Sequence, residues 1–140
     1  MPARRKKSNQ TEVRPALSGL ELEVMLVVWD LGECTSGDVI EAFRSRRDLA
    51  ASTLRNVLLK LRTKGYLKPI PTVGRGFLLR ATVQRRAVEH STLKSVLESF
   101  FEGSPQQAIA SLLDANKITN DELDEIRRMI EARKRRGGAR

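Results

Sequence analysis

Three capped helical segments, a change to strand-like alternation after Gly65 and a second run of three helical segments predict a mainly α fold. Its expected form is a winged helix-turn-helix, three helices plus a β-hairpin wing, followed by a helical dimerisation domain. The same observations divide the chain into a basic arm over 1–15, a winged-helix domain over 16–82, a dimerisation domain over 83–132 and a basic tail over 133–140.

Each element has a local cause. Residues 1–15 are polar and basic and end in Pro15, the composition of a disordered arm. Ser18-Gly-Leu-Glu21 is a capping box that opens the first helix, in which Leu22, Met25, Leu26 and Trp29 recur at helical spacing as far as Gly32. Thr35-Ser-Gly-Asp38 supplies a second N-cap, and Val39, Ile40 and Phe43 form the inward stripe of a short helix that ends in Arg44-Ser-Arg-Arg47. The third helix runs from about Ala51 to Lys64 and stops at Gly65, which suits the first position past a helix end. Tyr66 to Val73, the Gly74-Arg75-Gly76 turn and Phe77 to Arg80 then read as a hairpin. Pro69 and Pro71 remove ladder donors, so its first strand is expected at a sheet edge.

The remainder is helical. Gln84 to Phe101 carries Leu93, Val96, Leu97 and Phe100 on one stripe, Ser104-Pro-Gln-Gln107 caps a helix through Leu113, and Thr119-Asn-Asp-Glu122 caps the last one. These helices hold too few large apolar residues to close a core of their own. A homodimer is therefore expected, with Leu93, Val96, Leu97, Phe100, Leu112, Leu123 and Ile126 at the interface. The alternative is a monomer in which they fold back on the first domain.

Charge is segregated along the chain. The two tails account for the whole net charge of +9, residues 15–43 sum to −6, residues 44–86 to +11 and residues 87–132 to −5. A basic stripe on a helix and hairpin, with acidic segments on either side, is the footprint of a polyanionic partner, here double-stranded DNA. At 100° per residue, Leu54, Val57, Leu58 and Leu61 share the packing arc of the third helix, and the opposite arc presents Ser52, Asn56, Leu59 and Thr63, flanked by Arg55, Thr53 and Lys60. A recognition helix sets such residues against base edges: Asn pairs with adenine, Arg with guanine, and Leu59 can meet a thymine methyl. Lys60, Arg62, Lys64 and Lys68 suit phosphates, and Arg75 at the wing tip suits a phosphate or a minor groove. The expected DNA-binding set is Ser52, Thr53, Arg55, Asn56, Lys60, Thr63 and Arg75. A winged-helix module that binds a protein partner instead would need an apolar outer face, against which Ser52, Asn56 and Thr63 argue.

Other classes find little support. His90 has Glu89 and Ser91 only as immediate neighbours, which do not share a helix face, so no catalytic triad forms. Gly74-Arg75-Gly76 is too short for a phosphate loop. The single cysteine, Cys34, has no disulfide partner and no clustered ligands for a metal, so no cofactor is expected. No apolar run approaches the ~18 residues of a membrane span, and the basic N-terminus lacks the apolar stretch of a secretory signal, so a cytoplasmic protein is expected.

Leu17-Ser-Gly-Leu-Glu-Leu-Glu-Val-Met-Leu-Val-Val-Trp29, Leu31-Gly-Glu33, Ser52-Thr-Leu-Arg-Asn-Val-Leu-Leu-Lys-Leu61 and Lys64-Gly-Tyr-Leu67, in this order and spacing, resemble the penicillinase-repressor family, the BlaI/MecI group of bacterial repressors. The resemblance extends from about Leu17 to Ile130, through Gly103-Ser-Pro105 and the stretch from Thr119 to Ile126. It implies a winged-helix domain, a helical dimerisation domain, and silencing of a promoter through a dyad operator. It further implies release when a membrane sensor protease signals and the repressor is cut within its dimerisation helices. Two departures stand out: the C-terminal cysteine cluster of copper-sensing relatives is absent, and the Asn-Phe pair cut in the family aligns with Ser111-Leu112, the candidate cleavage bond here.

Overall fold

A computed structural model describes residues 14–74, 76–115 and 117–138. The expectations for the arm up to residue 13, for Arg75 and for the last two residues of the tail lie outside the described residues. The element order is α1 (Gly19–Leu31), α2 (Ser36–Phe43), α3 (Ala51–Thr63), β1 (Leu67–Pro71), β2 (Phe77–Ala81), α4 (Arg85–Phe100), α5 (Pro105–Ala115) and α6 (Asn120–Gly138). Three helices followed by an antiparallel hairpin make a winged helix-turn-helix.

Local chemistry sets the helix ends. Ser18 and Glu21 exchange both bonds of a capping box at the start of α1, Thr35 and Asp38 do the same for α2, and Thr119 and Glu122 for α6. Ser104 accepts the Gln107 backbone N–H to open α5. α3 has no side-chain cap at its start, and beyond its end Gly65 turns the chain with φ +89°, a conformation costly for any residue with a Cβ. α6 continues through Arg133 to Gly138, so the basic run expected as a tail is helical as far as it is described.

The chain divides into two compact units between His90 and Ser91, inside α4. In the first, α1 packs on α2, α3 and β2, around a core whose largest fully buried side chains are Phe43, Met25, Leu54, Leu61 and Leu79. Burying each such side chain contributes roughly 1.5–3 kcal/mol. The predicted packing arc of α3, Leu54, Val57, Leu58 and Leu61, is buried throughout. The face of α1 differs from its sequence stripe: Val24, Met25, Val27 and Val28 are buried, while Leu22 is exposed and Leu26 and Trp29 are half-buried. Because α1 is apolar almost all round, its own periodicity does not select a face, and its packing partners do. The Trp29 indole N–H donates to the Val83 carbonyl at 3.0 Å, tying α1 to the segment after the wing.

The hairpin register pairs Leu67 with Ala81, Pro69 with Leu79 and Pro71 with Phe77. Leu79 gives both its backbone bonds to Cys34, on the far side of β2, so Pro69 faces it across a pair that exchanges no hydrogen bonds. The prolines thus sit at positions where an N–H is not needed, on an edge strand. Cys34 acts as a one-residue third strand that fastens the wing to the α1–α2 connection. Burial and then the nearby Asp38 charge push its thiol above the usual range.

In the second unit, none of the described residues is buried. Ile109, Leu112, Leu113, Ile126, Met129 and Ile130 of α5 and α6 line an open apolar groove of about 840 Å³.

Candidate functional site

The outer arc of α3 is where charge, exposure and short polar side chains coincide. Ser52, Arg55, Asn56, Lys60 and Thr63 are exposed along it and Thr53 is half-buried at its margin. A helix brings residues three and four apart onto one face, so Arg55, Asn56, Leu59 and Thr63 form a continuous surface a little over two turns long, about 12 Å. Arg75, expected at the wing tip, lies outside the described residues.

Folding sorts the basic residues of the 44–86 window. Arg44 pairs with Glu41 (3.4 Å), Arg47 with Glu23 (2.8 Å), Lys64 with Glu21 (2.6 Å), Arg85 with Glu89 (2.9 Å) and Arg80 with Glu33. Arg55, Lys60, Arg62 and Lys68 have no acidic partner among the described residues. Arg46 and Arg86 are likewise without one; the unpaired cations on α3 and β1 can meet an anionic polymer without first breaking an ion pair.

Lys64 does not take the phosphate-facing role expected for it. Its ammonium reaches the Glu21 carboxylate and the Ala16 carbonyl (2.9 Å), with only 26% of its side chain exposed. It belongs to a cluster that staples residues 14–16 onto the end of α3. Arg14 donates to the Gly65 carbonyl at 2.9 Å and lies 5.8 Å from the Tyr66 ring centre; the Tyr66 hydroxyl donates to the Pro15 carbonyl at 2.8 Å, and Thr82 also donates to Gly65. The turn between α3 and the wing is thus held from both sides. Burial pushes the Glu21 carboxyl up, but the Lys64 hydrogen bond, the Ser18 backbone N–H, the Lys64 charge and the Ser18 hydroxyl together hold it below its ordinary value. Burial foremost pushes the Tyr66 hydroxyl up.

A second contact invisible in the sequence joins α3 to the wing. The Arg62 guanidinium stacks over the Phe77 ring at 5.1 Å, a cation–π arrangement that keeps it at the side of the arc. Arg55, Leu58, Leu59, Arg62 and Phe77 line a shallow cleft there. No periodicity signals either contact, since their partners lie on different elements.

The residues expected at a dimer interface all fall in the second unit. Leu93, Val96 and Phe100 of α4 are exposed, Phe100 to 78%, and Leu97 is half-buried. Leu112 and Ile126 come together in the α5–α6 groove, whereas Leu123 does not line it. Ser111 and Leu112 lie inside α5, in regular helix. His90 is exposed on α4. No described helix is long and apolar enough to cross a membrane.

Residues 17–132 match the family described as Penicillinase repressor. An uncharacterized 16.5 kDa protein of Latilactobacillus sakei is 29% identical over 113 residues, covering 81% of this chain and 77% of that one. The penicillinase repressor of Bacillus licheniformis is 25% identical over 122 residues, covering 87% and 94%. The methicillin resistance regulatory protein MecI of Mammaliicoccus sciuri is 21% identical over 114 residues, covering 81% and 92%.

Proposed function

The chain belongs to the penicillinase-repressor family, and from that premise we propose that it is a homodimeric, sequence-specific repressor of transcription that reads a dyad DNA operator through α3 and the wing. The observation that carries this reading is the outer arc of α3. There Ser52, Arg55, Asn56 and Thr63 stand exposed together with Lys60, and neither cation has an acidic partner among the described residues. Short polar side chains let the helix approach base edges closely, Arg55 and Asn56 carry the donors and acceptors that distinguish guanine and adenine, and Lys60 suits a phosphate.

Assembly follows from the second unit. A stripe of exposed leucine, valine and phenylalanine on α4 and an open apolar groove between α5 and α6 need a cover, and a second copy of the chain supplies one while setting two wings on two half-sites. Release by an inducing signal, with a sensor protease as partner and cleavage at Ser111-Leu112, completes the proposal. The cytoplasm, where the operator lies, is the proposed compartment. A winged-helix module that docks α3 on protein instead would bury the uncompensated Arg55 and Lys60, whose desolvation opposes an apolar partner.

The test is a mobility-shift assay of the full-length protein on the DNA upstream of its own gene. The expected result is a complex that survives a large excess of unrelated duplex. A complex lost in proportion to total DNA would overturn sequence-specific reading.

A further inference from the structure

We propose that Leu59 selects a thymine in each operator half-site through the base's 5-methyl group; this rests on the DNA-reading proposal and extends it to the one central position of the arc that carries no polar atom. Leu59 lies mid-arc, four residues after Arg55 and four before Thr63, and 56% of it is exposed. Phosphate binding gains nothing from a branched apolar side chain placed there.

The surroundings define what it fits. Leu58, Leu59, Phe77 and Leu79 give the shallow cleft most of its apolar lining, and Arg55, Arg62 and Ser36 complete it. Phe77 is 42% exposed, and the Arg62 guanidinium over its ring holds that edge of the cleft in place. A largely apolar recess lined also by two guanidinium groups with no acidic partner among the described residues suits a small apolar projection on an anionic polymer. In the major groove that projection is the thymine methyl, the apolar group that marks one base edge among hydrogen-bonding ones. Arg55, one turn earlier on the same face, is placed to engage a neighbouring base edge or phosphate, which keeps the methyl in register with Leu59.

The experiment uses full-length protein to select bound sequences from a randomised duplex pool and then replaces each thymine of the selected site, singly, with uracil. Uracil keeps every hydrogen-bonding atom of thymine and lacks only the methyl. One thymine per half-site is expected whose replacement weakens binding about four-fold, the factor that corresponds to one buried methyl group. Leu59→Ala should bind the uracil and thymine sites alike at that position, and Leu59→Met, which keeps an apolar side chain, should retain the discrimination. The position is exposed, so matching thermal unfolding of the variants checks that folding is unchanged. Selection that enriches a site at which no uracil substitution separates wild type from Leu59→Ala overturns the thymine assignment and leaves the DNA-reading proposal standing. Leu59→Ala that binds its site like wild type but loses a protein partner does the same and hands the cleft to that partner. Selection that enriches nothing overturns both.

Discussion

Arg55 and Lys60 flank the proposed DNA-reading arc of α3, and the two cations are expected to fail differently when removed. On the proposed reading, Arg55→Ala or Asn56→Ala takes away a base-edge contact, so specific binding should weaken by about 1–3 kcal/mol while nonspecific binding is nearly kept. Lys60→Ala removes the proposed phosphate contact, so all sequences should be bound less tightly and the salt dependence should flatten by roughly one unit. Titrating operator and unrelated duplex over a salt series separates the two; Arg55→Ala with wild-type operator affinity would remove it from the reading set. At the same scale, Glu21 is 5% exposed and carries the Lys64 ion pair. Glu21→Gln should cost about 1.5–3 kcal/mol near neutral pH, the range for a hydrogen bond to a charged group. The folded-state pKa of Glu21 lies below its unfolded value, so its contribution is complete above the unfolded pKa and is lost as pH falls through the folded one. Urea unfolding from about pH 7 to well below the ~4.3 of a free glutamate should therefore show wild type losing its advantage over Glu21→Gln with acid; a constant difference across that range would show that the carboxylate charge contributes nothing.

At the scale of elements, the junction of α3 and the wing concentrates the constraints. Gly65 adopts φ +89°, and its carbonyl accepts from both Arg14 and Thr82. A Cβ added there has room, the nearest atom being the Arg14 side chain at 3.8 Å, so the penalty for Gly65→Ala is conformational. It should be about 1–2 kcal/mol, readable as a lowered urea midpoint with an unchanged slope. A wild-type midpoint would show that the turn relaxes to accept an alanine. The wing is fixed at its other margin by the exchange of backbone bonds between Cys34 and Leu79, which lets prolines occupy the facing strand without orphaning an acceptor.

At the scale of the molecule, none of the described residues of the second unit is buried, and the proposed dimer would supply its cover. Leu97→Asp should place a charge in an apolar interface and dissociate the dimer, with operator affinity falling because two linked half-site contacts become one. Light scattering at micromolar concentration checks the mass, and a wild-type protein already monomeric there would reject the assembly. Induction by cleavage is tested in cells. Ser111-Leu112 lies in regular helix, so a protease needs local opening of α5 to reach it. Exposure to a cell-wall antibiotic should yield the two fragments expected from that bond in an intact-mass measurement; a full-length chain throughout, while the target promoter turns on, rejects this route.

The sequence by itself determined the features whose causes lie within a few residues: the capping boxes at Ser18, Thr35 and Thr119, the stop at Gly65, the hairpin and the buried Leu54, Val57, Leu58 and Leu61 arc of α3. Those signals need no distant partner, and the family resemblance rests on the same stretches. Tertiary structure alone decided which face of α1 is inward, because an almost uniformly apolar helix takes its orientation from what packs on it. It also decided which cations remain available. Lys64 is read beside Lys60 as a phosphate contact and Arg80 lies in the same basic window, yet folding brings Glu21 to the first and Glu33 to the second from more than 40 residues away. Charge composition is additive along a chain, but the field at a surface depends on which opposite charges the fold sets beside each one, and that is a property of the folded chain alone.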